Sequence, residues 1–328
     1  MMIYIENDSK DAAFHFSAEE YLMRNFQSDN PIIMIWQAEK CAMLGNYQVA
    51  SAEVNLGYAE REEIKIVRRS SGGGTIFCDL GTFLYTVILP FSGNHESARG
   101  EVAGIIVRAL NKIGVPARIE GRNDILAGGK KISGIAQHAG SGKICTHGSL
   151  LYDTDLDMLT QTLNVDEDKI RSKAIHSVRS RVANIRQYME NLSALEFQEL
   201  LKSAIFEIHD VKEYIFSSHE IQAINIIREK KYASPSWTFG SSPPFSLYNS
   251  IRFPAGKIEV YLEITKGDIV SCSIRGDFLG IVPIRELEEQ LEQKTFQYQA
   301  IANYLESVNL APYLGDITKD QLLSCIFN

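Results

Sequence analysis

Six small or polar residues in a row follow a pair of arginines in the stretch RRSSGGGTIFCD, residues 68–79. Gly72, Gly73 and Gly74 remove every side chain from one patch of backbone, so a ligand has room to lie against the amides. Consecutive N–H groups in such a turn can converge on an anion. The stretch therefore predicts either a phosphate or carboxylate site or a flexible hairpin loop, and a short motif alone does not decide between them.

Two further basic segments favour the anion site. GRNDILAGGKKISG, residues 121–134, carries a lysine pair into a predicted strand directly after two glycines, and residues 171–186 are rich in Lys and Arg without an acid. Standard nucleotide motifs fail in this chain. A Walker loop would need glycine and then Ser or Thr where Asp124 and Lys131 stand, and a G-x-G-x-x-G pattern is broken by Phe77.

Composition limits the kind of protein that carries these segments. A length of 328 residues suggests two domains, and 45% hydrophobic with 23% charged residues is ordinary for a globular chain. A net charge of −8 argues against a general nucleic-acid binder. The apolar runs are too short for a membrane span, and the N-terminus has no secretion or transit signal, so we expect a cytoplasmic protein. Five cysteines without C-x-x-C spacing indicate reduced thiols and argue against a zinc site.

The elements that must position the candidate residues follow from hydrophobic periodicity and from turn residues. A capping box at Ser17 and Glu20 predicts the start of a helix, and the Ser-, Pro- and Gly-rich residues 234–246 predict a linker. Strands are predicted at 31–37, 41–48, 64–69, 74–78, 83–89, 117–126, 130–138, 143–152, 247–253, 257–265 and 268–275. Further helices are predicted at 102–113, around 156–163, and at 194–208, 218–231, 283–293 and 297–308.

Four segments, RRSSGGGTIFCDLG, GRNDI…KKISGIA, THGSLL and SKAIHSVRSRVANI, resemble in order and spacing the signature segments of lipoate–protein ligases. The resemblance covers the whole chain, because the C-terminal part is similar to the accessory domain of two-domain members. It implies an α/β fold of the α+β type, with a mixed sheet flanked by helices as in biotin and lipoate ligases. Residues 1–240 would form the catalytic domain and residues 246–328 a small C-terminal α/β accessory domain.

The resemblance also implies an activity. Members join lipoate to ATP as lipoyl-adenylate, with release of pyrophosphate, and transfer the lipoyl group to a lysine of a carrier domain. We therefore expect ATP and Mg²⁺ as cofactors and lipoate as substrate. The expected partners are lipoyl domains of 2-oxoacid dehydrogenase complexes or the glycine cleavage H protein, with neither nucleic acid nor membrane involved.

Site residues carry over by their position in the motifs, with Lys131 as the catalytic residue that bridges the lipoate carboxylate and the α-phosphate. The implied ATP and adenylate contacts are Arg69, Gly74, Thr75, Ile76, Phe77, Asn123, Asp124, Lys131, Lys173, Arg179 and Arg181. The implied lipoate contacts are Ser71, Gly72, Gly73, Gly74, Lys131, Gly134, His147 and Gly148. Asp124 is the candidate ligand for Mg²⁺.

The residues themselves leave plainer alternatives open. Asn123 or Asp124 could cap a turn, Ile76 and Phe77 could be strand core, and Arg69 could be a surface charge. The basic segment could be a solvated linker instead of a loop that closes over the adenylate.

Three positions depart from the family pattern, which concerns the details of the lipoate pocket. Cys78 stands in FCD where FHD is common, Thr82 stands where GN is common, and Thr146 replaces the first of two histidines. Two other functions compete with the ligase: an ATP-independent octanoyl or lipoyl transferase with a cysteine nucleophile, and a non-catalytic lipoate-binding protein. The GRND segment has no cysteine, and we expect none of the five cysteines to be catalytic.

Overall fold

The computed structural model describes residues 1–121, 123–164, 181–189, 191–239, 247–265, 267–292 and 294–327. The strands are β1 Met2–Glu6, β2 Ile32–Gln37, β3 Cys41–Leu44, β4 Lys65–Arg68, β5 Ile76–Cys78, β6 Thr82–Pro90, β7 Ala117–Glu120, β8 Asp124–Ala127, β9 Lys130–Gly140, β10 Lys143–Leu151, β11 Val211–Ile215, β12 Leu247–Phe253, β13 Gly256–Thr265 and β14 Asp268–Gly276. The helices are α1 Ala12–Arg24, α2 Ala50–Glu53, α3 Leu56–Arg61, α4 His95–Lys112, α5 Leu156–Thr162, α6 Ala194–Ile208, α7 Ser218–Ile227, α8 Pro235–Phe239, α9 Arg285–Leu291, α10 Tyr298–Glu306, α11 Ala311–Leu314 and α12 Lys319–Ile326. A 3₁₀ turn covers Ile185–Tyr188 and a π-helical turn covers Arg228–Tyr232.

A mixed sheet of eight strands, in the order β11-β1-β2-β6-β10-β9-β8-β7, organises the larger part of the molecule. β1 pairs in parallel with β11 and β2, and the remaining pairs are antiparallel. One face packs against α4 and α6, and the other packs against α1 and α7. Burial on both faces explains why strands such as IIMIWQ read as continuous apolar runs. The mixed sheet with flanking helices confirms the predicted fold class. The parallel pair of β1 and β11 was missed, because each strand is short and its partner lies about two hundred residues away.

The first helix begins earlier than its predicted capping box. α1 starts at Ala12, and the side chain of Asp11 accepts a hydrogen bond from the backbone N–H of Ala13. Ser17 lies inside the helix, where its hydroxyl donates to the carbonyl of Ala13 at 2.7 Å. The prediction of an N-cap at Ser17 was therefore wrong. Asp11 caps the helix instead, and the apolar residues that follow it are buried.

A small sheet in the order β4-β3-β5 holds the glycine-rich segment. β4 runs parallel to the central strand β3, whereas β5 runs antiparallel to it. The chain must therefore leave one edge of β3 at Arg68 and return along its other edge at Ile76. The segment 69–75, called the glycine loop below, makes this crossing beside the large sheet.

The C-terminal part is a three-stranded antiparallel sheet, β12-β13-β14, with its own buried apolar core against helices α9 to α12. This smaller domain with a sheet confirms the second half of the predicted fold class. The predicted linker 234–246 was wrong over 235–239, which form helix α8, while residues 240–246 lie outside the described part. No helix in the described part of the chain is long and apolar enough to cross a membrane.

Candidate active site

The three consecutive glycines have different surroundings. A Cβ on Gly72 would lie 2.5 Å from the carbonyl oxygen of Phe278 in the C-terminal domain, so only glycine allows this approach. Gly73 has φ of +91°, which favours glycine, and its N–H donates to the same carbonyl at 3.0 Å. Gly74 has no atom within 4 Å of an added Cβ and lines an open cavity. The loop thus joins two domains on one side and faces a cavity on the other.

Arg68 anchors the surroundings of this loop from a buried position. Its guanidinium donates to backbone carbonyls of two segments, the 45–48 turn and helix α8. The accepting carbonyls are those of Gly45, Asn46, Gln48, Trp237 and Thr238. Burial, together with the charge of Arg275, lowers the pKa of Arg68 to about 10, so the group remains a cation at neutral pH. The residue therefore ties helix α8 and the 45–48 turn to the end of β4.

Arg69 is equally buried and binds the glycine loop itself. Its Nη2 donates to the carbonyls of Gly72 and Gly74, both at 2.8 Å, and its Nε donates to the Ser71 hydroxyl at 3.0 Å. A fourth hydrogen bond, from Nη1 to the carbonyl of Met43 at 2.9 Å, joins the loop to β3. The alternative of a surface charge is wrong, since Arg69 is 5% exposed. It still borders the cavity, and its contact with phosphate stays a prediction.

Lys131 stands near the start of β9, in a hairpin with β8. Its Nζ lies 2.7 Å from the Oδ1 of Asp124, and both side chains are about one-third exposed. A Cβ at Gly134 would lie only 3.1 Å from this Nζ, so the absence of a side chain there lets the lysine extend across the strand. The N–H of Ala183 donates to the Lys131 carbonyl at 2.9 Å, which brings the end of the basic segment beside the lysine.

Asn123 closes the turn that precedes β8. Its carbonyl accepts from the N–H of Ile135 at 2.8 Å, and its side-chain amide donates to the carbonyl of Ile135 at 3.3 Å. Asn123 also lines the cavity, so its structural role and its predicted binding role are compatible.

The cavity between the glycine loop and the large sheet has a volume of about 160 Å³. Its polar lining comes from Arg69, Thr75, Asn123, Lys131, His147 and Ser149, and its apolar lining from Phe16, Trp36, Met43, Ile76, Leu84, Ile135, Ala136 and Leu279, with Gly73, Gly74, Gly134 and Gly148 between them. Trp36 lies on β2 and Lys131 on β9, with β6 and β10 between them. Three strand spacings separate these backbones by about 14 Å. The cavity therefore runs from an apolar wall to a lysine.

Most of the predicted site residues meet around this cavity. The exceptions among the described residues are Ser71, Gly72, Phe77, Asp124 and Arg181, which do not line it. Phe77 is buried in the core beneath the small sheet, and Arg181 is exposed. Lys173 and Arg179 lie outside the described residues. Phe16, Trp36 and Leu279 were missed, because an apolar residue in a helix, strand or loop carries no sequence signal for a cavity.

A buried hydrogen-bonded chain adjoins the cavity. The Nε2 of His147 lies 2.6 Å from the Ser71 hydroxyl, and its Nδ1 lies 3.0 Å from the Oε1 of Glu19. The Thr86 hydroxyl donates to the same carboxylate oxygen at 2.6 Å. Burial opposes ionisation of Glu19, but the charge and hydrogen bond of His147 outweigh it and hold the pKa of the carboxyl below its ordinary value. The sequence motifs named Ser71 and His147 as lipoate contacts, which stays a prediction, and missed Glu19, which lies 128 residues from its partner His147.

The five cysteines are free and buried, and none is among the described residues that line the cavity. Burial raises the pKa of the Cys145 thiol well above its ordinary value. A hydrogen bond with Cys41, together with burial, does the same for Cys78. Both thiols are therefore protonated at neutral pH, which does not suit a nucleophile.

Comparison with known proteins gives matches over both parts of the chain. A family model described as "Lipoyl protein ligase A/B catalytic domain" matches residues 11–206, and a model described as "Bacterial lipoate protein ligase C-terminus" matches residues 242–326. A lipoate-protein ligase of Bacillus subtilis is 36% identical over 331 residues, covering 99% of this chain and 100% of that protein.

Two solved structures share the fold of the larger part. A bipartite lipoate protein ligase, described with its E2 lipoyl domain, from Thermoplasma acidophilum has a TM-score of 0.66 at 27% identity, covering 74% of this chain and 98% of that chain. A lipoate-protein ligase A bound with ATP has a TM-score of 0.64 at 27% identity, covering 72% and 98% respectively.

Proposed function

The chain belongs to the lipoate–protein ligase family, and we propose that it activates lipoate with ATP and transfers the lipoyl group to a carrier lysine. The observation that carries this proposal is the cavity between Trp36 and Lys131. A lipoate molecule has an apolar ring and chain that suit the apolar wall, and a carboxylate that suits the lysine. Burial of the apolar end favours binding, while the cation orients the reactive end.

The first half-reaction joins the carboxylate to the α-phosphate. A carboxylate oxygen of lipoate forms a bond to that phosphorus, and the bond to the leaving pyrophosphate breaks. Negative charge accumulates on the phosphate in the transition state, and the ammonium of Lys131 offsets it as a fixed point charge. The glycine loop leaves room for the phosphate beside Gly74, and Arg69 holds the loop in shape through its carbonyls.

The nucleotide requires further contacts, and we propose that the residues predicted from the motifs provide them. We assign the adenylate to the backbone of Thr75, Ile76 and Phe77, because the side chain of Phe77 is already buried in a core. The exposed Arg181 stands at the start of the segment that runs beside Lys131, which supports its role near the phosphates. Lys173 and Arg179 are proposed for the same purpose from their place in the motif.

Mg²⁺ suits the carboxylate that lies beside Lys131, the lysine that lines the cavity. The carboxylate of Asp124 is 35% exposed beside Lys131, and Mg²⁺ commonly binds through one or two carboxylates, several waters and the substrate phosphates. We propose that Asp124 holds this ion, which when bound neutralises phosphate charge. Release of Asp124 from Lys131 would leave the ammonium free for the carboxylate of lipoate.

In the second half-reaction, the amine of a carrier lysine attacks the carbonyl of lipoyl-adenylate, and AMP leaves. We propose lipoyl domains of 2-oxoacid dehydrogenase complexes or the glycine cleavage H protein as carriers. The Thermoplasma acidophilum relative, described with its E2 lipoyl domain, supports this class of partner. We also retain the division into a catalytic domain of residues 1–240 and an accessory domain of residues 246–328.

The ligase, the ATP-independent transferase and the non-catalytic binding protein should give different results in one assay. Full-length protein with ATP, Mg²⁺ and lipoate should release one pyrophosphate per lipoyl-adenylate, detected by mass spectrometry. Addition of an E2 lipoyl domain should add one lipoyl mass, and replacing its acceptor lysine with arginine should prevent this. Lipoyl transfer without ATP, or an acyl-thioester on any cysteine, would support the transferase. Lipoate binding without pyrophosphate release would contradict the ligase.

A further inference from the structure

A cluster of three different donor groups lies behind the wall of the cavity. Cys145 and His147 are two residues apart on β10, so both side chains point to the same face of the sheet. Helix α1, which carries Glu19, covers that face. A carboxylate oxygen, the thiol sulfur and an imidazole nitrogen all lie within 4.8 Å of one another, and all three residues are buried. We propose that Glu19, Cys145 and His147 form a binding site for Zn²⁺. The spacing of the cysteines argued against a zinc site, but here a single cysteine combines with a histidine two residues away and with a carboxylate from α1.

The donor set selects this class of metal. Zn²⁺ binds imidazole, thiolate and carboxylate at about 2.0–2.3 Å in tetrahedral geometry. Hard ions such as Mg²⁺ prefer oxygen ligands and do not suit a site with sulfur and nitrogen. Ligands on a tetrahedral zinc ion lie roughly 3.5 Å apart, so the three donors need to move by only about 1 Å.

Neighbouring hydroxyls already orient two of the ligands. Thr86, the partner of His147 across β6 and β10, donates to Glu19 at 2.6 Å. Ser71 lies 2.6 Å from the Nε2 of His147, which leaves the Nδ1 facing Glu19. Hydrogen bonds from neighbouring groups to the ligands are typical of metal sites, because they set the orientation and tautomer of a ligand.

The charges also suit a divalent cation. Glu19 is 2% exposed, and among the basic side chains of the described residues only that of His147 lies within hydrogen-bond distance of its carboxylate. Zn²⁺ with the carboxylate, the Cys145 thiolate and a neutral imidazole gives a site without net charge. Binding forms a zinc–sulfur bond and breaks the S–H bond of Cys145, whose proton passes to solvent. Because binding releases this proton, the affinity should rise with pH.

The three protein groups leave one position of a tetrahedral ion unfilled. Of the three, His147 lines the cavity, whereas Glu19 and Cys145 do not. Three protein ligands with one open position are typical of zinc sites that exchange a ligand, whereas purely structural sites have four.

Cobalt titration of the full-length protein tests the proposal, because a cobalt–thiolate bond absorbs in the near ultraviolet and Zn²⁺ displaces Co²⁺. We expect one Co²⁺ per chain, a stronger signal at higher pH and complete displacement by Zn²⁺. Cys145→Ser should abolish the thiolate band, whereas Cys272→Ser, at an equally buried cysteine of the C-terminal sheet, should retain it.

Thr86→Val keeps all three ligands and removes one orienting hydroxyl, so it should weaken Zn²⁺ binding by about tenfold. This variant keeps the test valid if Cys145→Ser does not fold, which circular dichroism will report. The absence of a thiolate band in the unmodified protein, or an equal band in folded Cys145→Ser, would overturn the proposal. Both readouts measure metal alone, so they are independent of the ligase reaction.

Discussion

Replacing Lys131 with methionine should separate the fold from the first half-reaction. The methionine keeps the unbranched, apolar part of the side chain and removes the charge. The ion pair with Asp124 is about one-third exposed at both ends, and such pairs contribute about 1 kcal/mol or less to stability. The free energy of unfolding should therefore stay within about 1 kcal/mol of the unmodified protein.

The effect on the rate should be much larger. A preorganised group aimed at charge that develops in the transition state contributes about 3 kcal/mol, which corresponds to roughly a hundredfold in rate. The assay is pyrophosphate release with saturating ATP and lipoate. A second assay is hydrolysis of preformed lipoyl-adenylate, because this reaction does not include attack of the lipoate carboxylate on the α-phosphate.

Lys130→Met is the matched control for this experiment. Lys130 is the adjacent residue of β9 and is exposed, so its loss should leave pyrophosphate release nearly unchanged. If Lys131→Met is folded and releases pyrophosphate at a rate close to that of the unmodified protein, the assignment of Lys131 is refuted. Equal losses in both variants would instead indicate a general effect of positive charge on this strand.

Three other perturbations test the rest of the structure. Gly72→Ala should lower the free energy of unfolding by about 1–3 kcal/mol, because its Cβ would lie 2.5 Å from the Phe278 carbonyl. Gly74→Ala is the control, and equal urea midpoints would contradict this account. Burial lowers the pKa of His15 from 6.5 to about 4, so stability should fall with decreasing pH in that range, by up to about 1.4 kcal/mol per pH unit. His15→Gln should reduce this pH dependence of the free energy of unfolding, measured in urea titrations. An unchanged slope would mean that other titratable groups cause it. Truncation after Gly240 should remove most pyrophosphate release yet retain some transfer from preformed lipoyl-adenylate; intact adenylation with blocked transfer would make the small domain a carrier-docking module.

Local patterns in the sequence were sufficient for the family and for much of the architecture. Helices such as α4 and strands such as β6 follow from periodicity, which depends on which faces are buried. The four motifs identified Lys131 and the glycine loop because their residue types and spacing lie within short segments. These features can be predicted from the sequence because residues close together in the chain make most of the contacts that form them.

Contacts between distant segments depended on the tertiary structure alone. Arg68 donates to the carbonyl of Thr238, 170 residues away, in a segment whose composition predicted a linker and which forms helix α8. Leu279 reaches the cavity from another domain, and Glu19 meets His147 across the sheet. A hydrogen bond or a cavity wall requires atoms within a few ångströms of one another. One sequence records the type of each residue but not which distant residue it meets, so only the folded chain decides these partners.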